Sequence, residues 1–256
     1  MFDERRHDID ALRSIALFLL IFYHLAVSFT SVAKWILFVP NNKPIDNIWS
    51  LLSIFNIWRI PLLFIIAGIA LRFSYQNRGV GKLFKERFKR LGIPYLFGAV
   101  TFVPLYIIIS AQFIYGDMSL DDSIGVLITS IFTGGHLWFL VNILIYCLLL
   151  IPIIGFISNK KRGYKFVDSI LKIRGGVLLF SIPIILEGYL LDLTAYKEDI
   201  GYGNSYSEYY GTDHGLLLGF IWFFIGIVLT SQGDTFWEYN IKNVNTHAHI
   251  GVPLLI

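Results

Sequence analysis

The sequence predicts an all-α protein, a polytopic transmembrane helix bundle, and three observations carry that expectation. Apolar residues make up 55% of the 256-residue chain and charged residues only 15%, where an ordinary soluble domain carries about 25% charge. The apolar residues are gathered into blocks of about 20, the length a helix needs to cross a bilayer, and the mean hydropathy is +0.64. The blocks do not alternate apolar with polar positions, which argues against a membrane β-barrel. A lipid bilayer is therefore the first expected partner.

Candidate spans fall at 11–31, 51–72, 92–114, 135–157, 175–193 and 214–231. The closing residues 249–256, HIGVPLLI, read as the start of another. That gives about six full spans plus a partial seventh, each judged against the roughly 20 residues a crossing needs. The chain then reads as one domain, 1–256, incomplete at its C-terminal end. Loop charge sets the orientation. Residues 73–91 carry Arg78, Lys82, Lys85, Arg87, Lys89 and Arg90 against Glu86, and residues 158–174 carry Lys160, Lys161, Arg162, Lys165, Lys172 and Arg174 against Asp168. Residues 115–133 carry Asp117, Asp121 and Asp122 with no Lys or Arg, and residues 194–213 carry Lys197 against Glu198, Asp199, Glu208 and Asp213. Basic and acidic loops alternate, so the N-terminus is expected in the cytoplasm. The net charge of +3 is spent on these topology signals, which argues against a nucleic-acid partner. The lone Cys147 lies in an apolar block, so neither a disulfide framework nor a thiol metal site is expected. No small-residue cleavage site follows the first span, so a cleaved signal peptide is not expected.

Ionisable groups inside a span are costly unless paired, hydrated or facing a cavity, so each is a site candidate. Arg13 and His24 are 11 residues apart, which puts them on nearly one helix face and about 16 Å apart along the axis. The orientation places Arg13 near the cytosolic boundary and His24 beyond the midplane. Asp10 lies one turn before Arg13 and can pair with it. Arg59 sits in WRIPLLFIIAG, Glu187 lies in the outer half of the fifth span, and His136 and His214 begin spans that enter from outside. His24, Arg59, His136, Glu187 and His214 are thus expected to reach one outward-biased polar cavity. On the residues alone, interface anchoring for Arg13, His136 and His214 and a structural ion pair between Glu187 and Arg59 remain open readings. At the inner side Arg72, Arg87 and Arg90 crowd together, and the spacing of three puts Arg87 and Arg90 on one face, suited to a phosphate-bearing ligand; on the residues alone, service as topology signals is the leading reading. The loop 194–213 is rich in Tyr, Ser, Gly and Asn, side chains able to stack on and hydrogen-bond sugar rings.

Several of these blocks resemble the acyltransferase-3 family of integral membrane acyltransferases. IDALRSIALFLLIFYH is similar to the family's first span, with its Arg and His eleven residues apart, here Arg13 and His24. RFKRLGIPYLF resembles the family's Arg-x-x-Arg motif followed by Pro, here Arg87, Arg90 and Pro94. WRIPLLFIIAGIALRFS and GGHLWFL, with His136 and Trp138, resemble further blocks in the same order. The wording is nearest to the branch that includes the glucan succinyltransferases. Three departures stand out. Ala67–Gly68 replaces the Ser–Gly step common in the second span, no esterase-like domain is fused, and family members carry about ten spans of about 20 residues, so this chain is shorter.

The resemblance implies an O-acyltransferase of the bacterial inner membrane. It would move an acetyl or succinyl group from cytosolic acyl-CoA, acting as donor substrate, to a hydroxyl of an extracytoplasmic glycan, with no bound cofactor. By carry-over Arg13 and His24 are the catalytic pair, Arg87, Arg90 and Arg72 serve the donor, and Asp10, Arg59, His136, Trp138, Glu187 and His214 support the site or the acceptor. An imidazole of ordinary pKa, about 6.5, suits a general base at neutral pH, and a covalent acyl-imidazole is the alternative. Embedded Arg, His and Glu also suit a proton-coupled transporter, and a shortened, inactive acyltransferase fragment is a further reading.

Overall fold

The structure, a computed structural model, describes residues 7–36, 38–45, 47–76, 78–133, 135–157, 163–173, 175–193, 213–231 and 234–243, and the regular elements among them are all helices. Helix α1 is His7–Val27. Ala16, Tyr23 and Val27 are buried along one stripe, with Tyr23 and Val27 packed beside Leu52 of α2, while Leu12, Ile15, Phe18, Ile21, Phe22 and Leu25 are exposed. That pattern suits a span facing lipid on most of its circumference. Helix α2 is Asn47–Gln76 and contains Pro61, which has no N–H to offer the Ile57 carbonyl.

Helix α3 extends through Val80–Tyr115, with a turn at Thr101 between its α-helical stretches, and it widens to a π turn at Phe88–Gly92. Pro94 explains the position: its ring would press on the Arg90 carbonyl in a regular α-helix, and a wider turn relieves that. Helix α4, Leu120–Thr133, is started by a reciprocal cap. The Asp122 N–H donates to Ser119 Oγ at 3.1 Å, and the Ser119 N–H donates to Asp122 Oδ2 at 3.3 Å, an arrangement that satisfies amides a helix start leaves free. Helix α5 is Trp138–Leu150, entered through a 3₁₀ turn at Gly135–Leu137, and it ends just before Pro152, whose ring disfavours helix in the preceding residue. There follow α6 (Gly163–Lys172), α7 (Ile182–Leu193, led by a 3₁₀ turn at Gly176–Ser181), α8 (Asp213–Ser231) and α9 (Asp234–Lys242).

The centre of the bundle is the crossing of α2 and α8. A Cβ on Gly68 would stand 2.0 Å from the Phe223 carbonyl oxygen, and one on Gly226 would stand 2.2 Å from that of Ile65. The two backbones touch, as close helix pairs in membranes require. The Phe64 ring fills the space beside Gly219 on the same pair of helices, where a Cβ would meet it at 3.0 Å.

Several expectations are corrected. The all-α bundle stands, but the helices long and apolar enough to cross, by length and composition, are His7–Val27, Trp58–Gln76, Val80–Tyr115 and His214–Ser231. The spans expected at 135–157 and 175–193 are the shorter apolar helices Gly135–Leu150 and Gly176–Leu190. The acidic loop expected at 115–133 is mostly α4, and the basic segments contain the start of α3 and all of α6. Helix α4 packs back along α3 toward its middle, and Gly135, at φ +46°, turns the chain so closely against Val103 that a Cβ would meet Cγ1 at 2.6 Å. A 3₁₀ turn at Gly135–Leu137 thus leads into α5 after α4. His136 lies in that turn, at the start of the apolar helix Gly135–Leu150. Lys160, Lys161, Arg162, Arg174, the tyrosine-rich stretch 194–212 and the segment 249–256 lie outside the described residues.

The Gly68 contact gives a direct test. Gly68→Leu is expected to destabilise the detergent-solubilised protein by at least the roughly 1–3 kcal/mol typical of overpacking, read as a lower midpoint of thermal unfolding. Gly81→Ala, at a position with open space around it, is expected to leave the midpoint unchanged or raise it slightly.

Candidate functional site

One group of polar side chains assembles where α1, α2, α3 and the turn before α5 meet. His24 on α1 and His136 on the turn have ring centroids 5.8 Å apart. The segment after α1 folds back through main-chain bonds such as Asn41 N–H to the Ser28 carbonyl, 2.9 Å, and Phe38 N–H to the Ala33 carbonyl, 2.9 Å. It thereby lays Phe38 flat on His24 at 5.5 Å and beside His136 at 4.8 Å. Tyr106 of α3 stacks on the other side of His136 at 4.4 Å. Arg59 of α2 is only 1% exposed and sits over the Tyr23 ring with its Cζ 4.2 Å from the centroid, within electrostatic reach of His24. A cation on an aromatic face is an economical way to hold a guanidinium at this depth. The site is thus two imidazoles and a guanidinium in an aromatic frame.

The basic end of the bundle is a second group. The Arg87 guanidinium donates to the Ala70 carbonyl at 2.8 Å and to Ser74 Oγ at 2.7 Å, both on α2. Arg90, 69% exposed, pairs with Glu86 at 2.8 Å, and Arg78 pairs with the same carboxylate. The shared face expected for Arg87 and Arg90 is not what forms. In the π turn, three residues no longer bring side chains round to one side, so Arg87 turns inward and Arg90 outward. Arg13 is exposed on α1, and its charge is felt by Arg87 together with those of Arg90 and Arg78. Arg72 is 4% exposed on α2. Asp10 lies one turn before Arg13, and its carbonyl accepts the Ser14 hydroxyl at 2.9 Å.

The single cavity expected for His24, Arg59, His136, Glu187 and His214 resolves into two arrangements. The first three meet around Tyr23 and Phe38, whereas Glu187, 5% exposed on α7, pairs with His214 Nδ1 at the start of α8. The Glu187–Arg59 ion pair considered from the sequence is replaced by this one. Trp138 lies against Phe64 and Phe139 in the core, with centroids 6.3 and 6.0 Å away. Sequence reasoning missed Tyr23, Phe38, Tyr106 and Ser74. Tyr106, a phenol in the otherwise apolar run FVPLYIII, was a legible signal, whereas Phe38 lay in a neutral loop without one.

Apolar helices long enough to cross a bilayer, with polar groups gathered among them, define an integral multi-pass membrane protein. A family model described as an acyltransferase domain matches residues 6–236, and the chain belongs to this acyltransferase-3 family. No curated protein and no solved structure matches the chain.

The two kinds of arginine contact at the basic end predict different costs. Arg87→Ala is expected to lower stability by about 1.5–3 kcal/mol, the range for hydrogen bonds to charged groups. Glu86→Gln, which frees two exposed arginines, is expected to change it by less than about 1 kcal/mol. Chemical unfolding monitored in detergent distinguishes them.

Proposed function

We propose that the chain is an O-acyltransferase of the bacterial inner membrane, moving an acetyl or succinyl group from cytosolic acyl-CoA to a hydroxyl of an envelope glycan. The observation that carries this reading is the pairing of an embedded imidazole cluster with a basic end on the same helices. Helix α1 holds Arg13 near the arginines of α3 and, about 16 Å further along its axis, His24 against His136. Exposed arginines suit the phosphates of a coenzyme, and the aromatic frame suits the apolar part of a thioester arm. The loop charges put the basic end in the cytosol. His24 is the general base for the acceptor hydroxyl. In its neutral form one ring nitrogen carries the proton and the other presents its lone pair. Arg13 and Arg90 neutralise the donor, Arg72 supports that end, and Arg87 positions the turn they belong to. Glu187 and His214, with Arg59, support the acceptor side.

The buried Glu187–His214 pair also suits proton movement, so solute transport is the second reading; a transporter moves solute without consuming thioester. With purified protein in vesicles, labelled acyl-CoA and a glycan acceptor, His24→Ala is expected to abolish label transfer. Arg90→Ala is expected to raise the donor KM about tenfold or more, the equivalent of one charge-assisted contact, with the acceptor KM unchanged. Unaltered transfer by His24→Ala would remove the proposed mechanism.

A further inference from the structure

We infer that His136 is a second catalytic residue, the group that protonates the leaving thiolate, and that Phe38 covers the two imidazoles until substrate enters. The inference rests on the acyl-transfer reading above. The rings of His24, His136 and Phe38 form a triangle with centroid separations of 5.8, 4.8 and 5.5 Å. The fold goes to some length to place His136 there. It enters α5 through a 3₁₀ turn, uses a left-handed glycine at Gly135, and stacks the ring on Tyr106. Irregular backbone at membrane depth is tolerated where it is buried in protein or lines a cavity, so the turn itself marks a place built for something other than spanning. Within it, His136 Nε2 is buried and has no hydrogen-bond partner among the described residues. A buried polar atom left unsatisfied calls for an explanation, and the phenyl ring of Phe38 beside it supplies neither donor nor acceptor. With Phe38 moved aside, the edge between the imidazoles is where a reacting acyl carbon can sit, within about 3 Å hydrogen-bond reach of a nitrogen on each side.

The step balances as follows. The acceptor oxygen bonds to the thioester carbon as its proton passes to the free nitrogen of His24. The tetrahedral carbon then breaks its bond to sulfur, and the electron pair leaves on sulfur. The thiolate takes a proton from His136 while the proton held by His24 passes to the other nitrogen of His136. The products are an ester and a thiol, and both imidazoles end neutral, so neither has to hold a charge at rest in a desolvated site. The charged and titratable groups around the pair are Arg59 of α2, Tyr23 of α1 and Tyr106 of α3, and none of them is required to change protonation.

The test uses two donors, an alkyl thioester (acyl-CoA) and an aryl thioester whose thiolate leaves without protonation. His136→Gln is expected to lower kcat with the alkyl donor by about 100-fold or more, the usual worth of a positioned acid. KM values should stay within a few-fold, and most of the loss should be recovered with the aryl donor. His24→Ala is expected to lose activity with both donors. Equal loss of His136→Gln on both donors, at a thermal midpoint like that of the parent, would overturn the role and leave His136 a packing residue, as would undiminished activity on the alkyl donor. Phe38→Ala is expected to speed modification of the two imidazoles by diethyl pyrocarbonate in the absence of substrate, and an unchanged modification rate would overturn the covering role. If the unaltered protein consumes neither thioester, the acyl-transfer reading fails first and this inference falls with it.

Discussion

Backbone contact between α2 and α8 is the constraint on which the rest of the bundle depends. Within a bilayer, apolar surface gains nothing by leaving lipid for another helix, so association relies on close packing and hydrogen bonds. Gly68 and Gly226 let two main chains touch, and the contact fixes the depth and rotation of α2. That helix carries nearly everything the candidate site leans on: Arg59 in the imidazole cluster, Arg72 near the basic end, and the Ala70 carbonyl and Ser74 hydroxyl that hold Arg87. Helix α8 in turn gives the Leu216 carbonyl to the Tyr146 hydroxyl of α5 at 2.7 Å and His214 to Glu187 of α7. Fixing one crossing therefore positions three neighbours.

Departures from regular helix are the second theme, and they fall at the polar groups. The π turn before Pro94 turns Arg87 toward α2 and leaves Arg90 outside. The turn at Gly135 brings His136 to His24, and Pro61 stands two residues after Arg59. A span made only of regular helix presents side chains at a fixed angular interval. Placing imidazoles from two different segments against each other at depth requires breaking that interval, with Gly and Pro as the residues that permit it.

Much of this was legible in the sequence, and the limits have physical causes. Long apolar blocks and alternating loop charge are properties of composition and order, so the helical bundle and the candidacy of His24 and His136 as ionisable groups among apolar residues followed from them. Ala67–Gly68 was noticed only as a departure from a motif, because a glycine's partner on another helix cannot be read from its own neighbourhood. Helix α4 was overlooked as an acidic loop although Ser119-x-x-Asp122 is a cap signature followed by apolar residues; charge was weighed where capping chemistry should have been. The shared face of Arg87 and Arg90 failed because a 3.6-residue period was applied across a π turn. Phe38 was invisible because a loop's return path is a tertiary property.

The central claim is that an acyl group passes from donors at the basic end to acceptors on the opposite side through the imidazole cluster. Sealed vesicles holding the protein in one orientation test it most directly, with labelled acyl-CoA on the basic side only and the glycan acceptor on the other side only. Passage through the bundle predicts label on the acceptor while the vesicles remain sealed, with an equal amount of free thiol released on the donor side. Label that reaches the acceptor only when donor and acceptor share a compartment would contradict it.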